Sequence, residues 1–243
     1  MIDIHCHILP AVDDGADSLE TALEMARVAA ATGVTDIAAT PHFRGVAESF
    51  EMLPEIERAR KALSDAVRAE GIGVKLHGGA EILCVAETPY LPKHLRLPTL
   101  GEGKYLLCEF YFDESAYFMS DILSALREEG YIPVVAHPER YDAVQRDPRL
   151  LVSWFREGYI LQANKGSILG TLGRGAERAA DFMLDNGLCH LIAGDAHGLE
   201  SRTTDMRELR RYVHDYIDGE YGRILLRENP RRILEGKRPV PVG

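Results

Sequence analysis

The stretch that decides the fold is Ile2-Asp-Ile-His5-Cys-His7-Ile-Leu-Pro10, closed three residues later by Asp13-Asp14-Gly15. It reads as a short apolar strand that ends on two histidines. Residues two apart on a strand leave the same face, so His5 and His7 can address one cation, and the acidic turn that follows brings carboxylates to the same end. Working outward, further apolar runs are predicted as strands at Val34–Thr40, Val74–Leu76, Tyr105–Phe110, Ile132–Ala136, Tyr159–Asn164 and Leu188–Gly194. Their starts are spaced 27 to 40 residues apart. Segments of helical period fill the intervals: the one opened by Asp17-Ser-Leu-Glu20 and stopped by Gly33, then Leu53–Glu70, Tyr117–Glu129, Pro148–Glu157, Gly175–Asn186, Thr204–Tyr216 and Tyr221–Arg227. Asp17 is the expected N-cap, with Glu20 reaching back. Strand and helix in alternation define an α/β chain with a parallel sheet, and seven strands suggest a (β/α)7 barrel, with an open doubly wound sheet as the alternative. No linker or low-complexity segment divides the chain, so residues 1–243 are read as one domain, and Pro239-Val-Pro-Val-Gly243 as an extended tail.

The positions of the polar residues carry the function. His42 follows the second predicted strand and Glu81 the third, Glu109 ends the fourth, His137 follows the fifth, and Asp195 and His197 follow the seventh. Side chains at the C-terminal ends of barrel strands converge on one mouth, where such barrels place their chemistry. An isolated His-x-His is ambiguous, because lone histidines are often structural. Five histidines (His5, His7, His42, His137, His197) and four carboxylates (Asp14, Glu81, Glu109, Asp195) at strand ends are a constellation. Nitrogen and carboxylate donors without thiolates suit Mn²⁺, Zn²⁺ or Fe²⁺ in a hydrolytic site, and nine donors suffice for two or three clustered ions. Clustered divalent cations activate water and neutralise phosphate charge, which phosphoester hydrolysis requires. Arg140 and Arg202, each just beyond a predicted ligand, are the candidates for gripping phosphate oxygens; Arg44 and Lys165 are weaker ones.

Composition narrows the partners. The 243 residues carry 28 Lys+Arg against 38 Asp+Glu, a formal net charge of −10. That field disfavours nucleic acid and anionic membrane, so neither is expected as a partner. Three divalent cations would bring the formal charge to −4 and make one mouth locally cationic. The first basic residue is Arg27 and no apolar run has membrane-span length, so a cytoplasmic location without membrane insertion is expected. Cys6, Cys84, Cys108 and Cys189 lie far apart, and none is followed by Arg six positions later, so a Cys-x5-Arg nucleophile loop is missing. Reduced, buried thiols are expected.

These strings resemble a known family. Asp3-Ile-His-Cys-His-Ile-Leu-Pro10 with Val12-Asp-Asp-Gly15, Thr40-Pro-His42, Ala136-His-Pro-Glu-Arg-Tyr141, Gln162-Ala-Asn164 and Asp195-Ala-His197 with Ser201-Arg202 are similar to the polymerase-and-histidinol-phosphatase (PHP) superfamily, and most closely to its CpsB/YwqE-type bacterial protein-tyrosine phosphatases. The resemblance runs to about Arg202, and Glu228–Gly236 also looks like the family's C-terminal end. It implies a distorted (β/α)7 barrel of PHP type with a trinuclear, typically manganese, centre. One ion would be held by His5, His7, Glu81 and Asp195, a second by Glu81, Glu109 and His137, and a third by Asp14, His42 and His197. It further implies removal of phosphate from the tyrosine-rich tail of a kinase that controls capsule or exopolysaccharide export. The mechanism expected here is direct attack of a metal-bridging hydroxide on phosphorus without a phosphoenzyme, with Arg140 and Arg202 stabilising the transferring group. The other readings are a small-molecule phosphatase of histidinol-phosphate type, a nuclease-like phosphoesterase, which the acidic charge disfavours, and a regulatory protein that binds the kinase tail and keeps metal structurally. The chain departs from the family pattern at Lys165, Gly194 and Gly198.

Overall fold

A computed structural model describes residues 1–242. Among the described residues nine strands occur, in the order β1 (Ile2–Cys6), β2 (Asp36–Ala39), β3 (His42–Arg44), β4 (Lys75–His77), β5 (Glu81–Leu83), β6 (Tyr105–Glu109), β7 (Ile132–Ala136), β8 (Ile160–Asn164) and β9 (Leu191–Ala193). Every pairing is parallel. They form two sheets, β1-β2-β4 and β3-β5-β6-β7-β8-β9. The two extra strands, β3 and β5, lie just beyond the ends of the second and third predicted ones, in segments read as strand ends and loops. Thr40-Pro41 separates β2 from β3 and Gly78-Gly79-Ala80 separates β4 from β5, because proline has no N–H to offer a ladder and glycine weakens one.

The ends meet. Asp195 N–H donates to the His5 carbonyl at 2.8 Å and His7 N–H to the Ala196 carbonyl at 2.9 Å, which joins the chain after β9 to β1. Seven strand positions thus close into a distorted barrel, and the doubly wound alternative is set aside. A small apolar cluster of alternating strand residues, among them Ile2, Ile4, Leu107, Val134, Ala136, Ile160, Leu191 and Ala193, fills its interior. Ile233 and Leu234 from a C-terminal helix (Asn229–Leu234) join this cluster. The Leu234 carbonyl receives Glu102 N–H just ahead of β6, so this helix closes the end where the strands begin. A larger cluster between the strands and the surrounding helices includes Leu63, Leu126, Trp154, Met183 and Leu209.

Helix boundaries differ from the sequence reading where side-chain chemistry is local. The first helix is Leu19–Ala31, and its N-cap is Ser18, whose hydroxyl accepts Thr21 N–H; Asp17 instead accepts the Thr21 hydroxyl. The predicted helix from Thr204 begins at Arg207, since Thr204 is drawn onto the Met25 carbonyl. The predicted Tyr221–Arg227 segment divides into Gly219–Arg223 and a π-type turn over Ile224–Glu228. The tail is held back on the body: buried Asn229 exchanges two hydrogen bonds with Val240. Among the described residues, no helix is long and apolar enough to cross a membrane.

Candidate metal centre

Strict alternation along β1 would put Ile2, Ile4 and Cys6 on one face and Asp3, His5 and His7 on the other. The ladder with β2 shifts register between Asp3 and Cys6, and this bulge brings His5 to the interior, above Ile4. Asp3 anchors the bulge. Its buried carboxylate accepts the N–H of His5 at 3.2 Å and of Gly194 at 2.9 Å, across the barrel seam. A Cβ at position 194 would lie 2.4 Å from an Asp3 oxygen, so a larger residue there would displace this carboxylate.

All nine predicted ligands come together around His5, His7 and Glu81. His5 Nε2 lies 3.3 Å from His7 Nε2, 3.1 Å from Glu81 and 3.4 Å from Asp195. His7 Nε2 is 3.2 Å from the other Glu81 oxygen and 3.6 Å from Asp195. His137 Nε2 stands 2.9 Å from Glu81 and 3.7 Å from Glu109. His42 faces two ways, with Nε2 3.4 Å from Asp14 and Nδ1 3.2 Å from Glu81 and 3.6 Å from Glu109. His197 Nε2 is 3.5 Å from Asp14, and its ring lies 3.8 Å from that of His7. Three sets have donor atoms mutually within 4.8 Å: His5, His7, Glu81 and Asp195; His7, Asp14, His42 and His197; and His42, Glu81 and Glu109. His42 therefore groups with Glu81 and Glu109 as well as with Asp14, whereas His137 approaches from the Glu81 side. The side chains of His42 (40% exposed) and Asp14 (66%) mark the open edge of an otherwise buried cluster.

Four polar residues to which the sequence alone assigns no role hold these donors in place. Gln162 Oε1 lies 2.9 Å from His5 Nδ1, which points Nε2 at the cluster. Asp13 does the same for His7 through Nδ1 at 2.7 Å, and its carboxylate also takes the N–H groups of His42 and Gly15. Asn164 donates to Asp195 at 2.6 Å, while Asn164's own N–H is received by the buried carboxylate of Glu139. Outer partners of this kind fix the imidazole tautomer and orientation. The available signal was polar residues alternating through an apolar strand: Gln162 and Asn164 share the interior face of β8 with Ile160.

Both predicted arginines reach the centre. Arg140 donates to Asp195 at 3.2 Å, and Arg202 donates to the other oxygen of the same carboxylate. His137, Asp195 and Arg202 all have left-handed backbone, with φ of 34°, 51° and 47°. Such strain in non-glycine residues clusters at functional sites. At His137 it ends β7 and starts the turn Pro138–Arg140 that sends Arg140 back to the mouth. Lys165 differs from its reading as a phosphate ligand. Its buried ammonium donates to the carbonyls of Thr203 and Asp205, tying that loop to the end of β8. Arg44 is exposed at the end of β3 and has no ion pair among the described residues.

The field at the cluster favours cations. Burial alone would lower His5 and His7, but Glu81 with Asp195, and Asp13 with Glu81, raise them to about 9 and about 10. Glu109 is pushed up to about 8 by burial and then by the Glu81 charge. The donors fit divalent ions: Glu81 Oε2 and His197 Nε2 are buried with no hydrogen-bond partner. The imidazole–carboxylate separations, from 2.9 to 3.7 Å, bracket the about 3.0–3.4 Å expected between two donors each about 2.1 Å from one ion. The thiols take no part. All four cysteines are buried, and burial raises Cys6 and Cys84 well above the usual thiol range and Cys189 to about 12.

A parallel α/β barrel with histidines and carboxylates gathered at the strand ends defines a class of barrel metalloproteins. Within it, residues 1–235 match the family of capsular polysaccharide synthesis proteins CpsB/CapC, and the chain belongs to that family. It is 33% identical to the tyrosine-protein phosphatase YwqE of Bacillus subtilis, over 98% of this chain and 92% of YwqE. It is 31% identical to the tyrosine-protein phosphatase CpsB of Streptococcus pneumoniae, over 96% of this chain and 98% of CpsB. A chain from the crystal structures of YwqE and CpsB, metal-dependent tyrosine phosphatases, superposes with a TM-score of 0.87 at 30% identity, covering 100% of this chain and 97% of that one. A lactonase from Listeria monocytogenes shares the fold alone, with a TM-score of 0.56 at 14% identity and 98% and 95% coverage.

Proposed function

We propose that this chain is a metal-dependent protein-tyrosine phosphatase of capsule or exopolysaccharide synthesis, formed by residues 1–243 as a single domain. The observation that carries the reading is the convergence of eight imidazole and carboxylate donors in three overlapping clusters, with His137 beside Glu81 and both Arg140 and Arg202 on Asp195, in a chain that aligns almost end to end with phosphatases of that activity. His5, His7, Asp14, His42, Glu81, Glu109, His137, Asp195 and His197 are the ligands, for three divalent ions. Mn²⁺ is the first choice, and Zn²⁺, Fe²⁺ and Mg²⁺ the alternatives. Bound there, the ions supply Lewis acidity to phosphate and lower the pKa of water.

The chain's own residues do the remaining work. Asp195 aligns both guanidinium groups, and the N–H donors it does not use are free for phosphate oxygens, which gain negative charge in the transition state. Glu81, whose two oxygens face different histidines, would be shared between two of the ions. Gln162 and Asp13 keep the His5 and His7 donor nitrogens aimed inward, so little reorganisation remains when substrate arrives. A tyrosine leaving group of pKa about 10 needs less proton assistance than an alkoxide. The partner is a phosphotyrosine protein, the tyrosine-rich tail of a polysaccharide-export kinase, and the location is the cytoplasm.

Metal-stripped protein assayed on p-nitrophenyl phosphate and on a phosphotyrosine peptide tests the proposal. Activity is expected to be lost with the metal and to return on adding Mn²⁺. Failure to recover with any of the four ions overturns it.

A further inference from the structure

One large aromatic side chain at the rim is used neither by the core nor by the metal donors. Phe112 lies three residues past Glu109 and is 41% exposed. The Arg140 guanidinium carbon sits 4.4 Å from the centre of its ring. The rings of His137 and Tyr141 are 6.0 and 6.2 Å away. Its carbonyl accepts Asp142 N–H at 2.8 Å, so the loop after β6 is tied to the turn that carries Arg140. An apolar ring is thus held at a metal mouth, half in water, against the side chain assigned to phosphate.

We propose that Phe112 is the aryl-selecting wall of the substrate site, against which the phenyl ring of phosphotyrosine packs while Arg140 holds its phosphate. This rests on the phosphatase reading and adds the residue that sets a preference for aryl over alkyl phosphate esters. A phosphate paired with a guanidinium lies about 4 Å from its carbon, and the ring of an aryl ester begins one oxygen further on. A ring directed back over Phe112 can therefore reach the about 4.5–7 Å centroid separation at which aromatic pairs take offset or edge contacts. The single methylene of phosphoserine has no comparable surface to offer. Phe112 is therefore a specificity residue, and it also steadies Arg140 through the cation–π contact.

The two roles separate experimentally. Calorimetric titration of the Mn²⁺-loaded protein with phenylphosphonate and methylphosphonate, neither of which is hydrolysed, should show a preference of about tenfold for the phenyl compound. Phe112→Ala should bring that ratio close to one and Phe112→Tyr should restore it, whereas loosening of Arg140 alone would weaken both ligands alike and leave the ratio standing, which overturns the proposal. Phe112→Leu, which keeps apolar bulk without an aromatic face, serves if the alanine variant folds poorly, and it too should lower the ratio. In turnover, kcat/KM for a phosphotyrosine peptide relative to a phosphoserine peptide should fall about tenfold in Phe112→Ala, through KM. An unchanged ratio overturns the wall alone. No turnover of either peptide by the parent protein removes the phosphatase reading, and the wall with it.

Discussion

Replacing His190 with asparagine should remove one acid-sensitive element of the barrel, and its size can be worked out. His190 stands just ahead of β9, with its ring 5.1 Å from Phe155 and its Nδ1 accepting Leu161 N–H at 3.1 Å. It has no carboxylate partner among the described residues, and burial lowers its pKa from 6.5 to about 4. Between those values the unfolded chain binds the proton and the folded chain does not, so the contribution is complete above pH 6.5 and is lost as pH falls through about 4. By linkage the whole effect is about 3 kcal/mol, of which about 2 kcal/mol is gone by pH 5. The asparagine side chain would keep an acceptor near the place of Nδ1 without titrating. Urea unfolding of the wild type and His190→Asn in EDTA, at pH 7.5, 6.5 and 5.0, gives the difference in stability at each pH, and groups common to both cancel. Relative to the variant, the wild type should lose about 2 kcal/mol between pH 7.5 and 5.0. A difference that stays flat across this range would refute the argument that burial without a counter-charge sets the state of this ring.

Other expectations concern the centre. Gln162→Leu frees the His5 ring and should weaken Mn²⁺ binding about 10- to 100-fold by calorimetry, with an unchanged far-ultraviolet circular dichroism spectrum. Gly15→Ala puts a Cβ 1.9 Å from the His7 carbonyl oxygen, so thermal unfolding should show a loss of about 3 kcal/mol together with loss of metal binding. Iodoacetamide at pH 7.5 should leave phosphatase turnover within about twofold, because every thiol is buried; rapid inactivation would contradict the cysteine-independent reading. Chelation should lower the thermal midpoint of the wild type, since a ligand present at about 100 times its Kd adds about 2.7 kcal/mol to the folded state.

Much of the centre is legible in the chain because donor chemistry is local. Imidazole and carboxylate groups placed at the ends of successive apolar runs have one common destination once those runs form a barrel. His5, His42, His137 and Asp195 could therefore be picked out as a set, though none of them alone. The supporting residues were less visible. Asp13 and Asp14 are adjacent carboxylates in one turn, yet one orients His7 and the other faces His42 and His197, a division that depends on a turn packed against the His7 backbone. β3 and β5 are three residues each, too short to show a period, and become strands only because their neighbours offer hydrogen bonds. Ser18 rather than Asp17 caps the first helix, a choice between adjacent acceptors that rests on backbone angle.

The sequence by itself determined the donor types, their order along the strands, the lack of an activated thiol and the family. These follow from residue identity and spacing. Only the tertiary structure decided that β1 bulges so that His5 turns inward, that His42 offers both nitrogens, that Lys165 is taken up by backbone carbonyls, and that Phe112 meets Arg140 at the rim. The physical reason is common to all four. Each is a contact between segments far apart in the chain, set by closing a ring of parallel strands, and no local propensity encodes it.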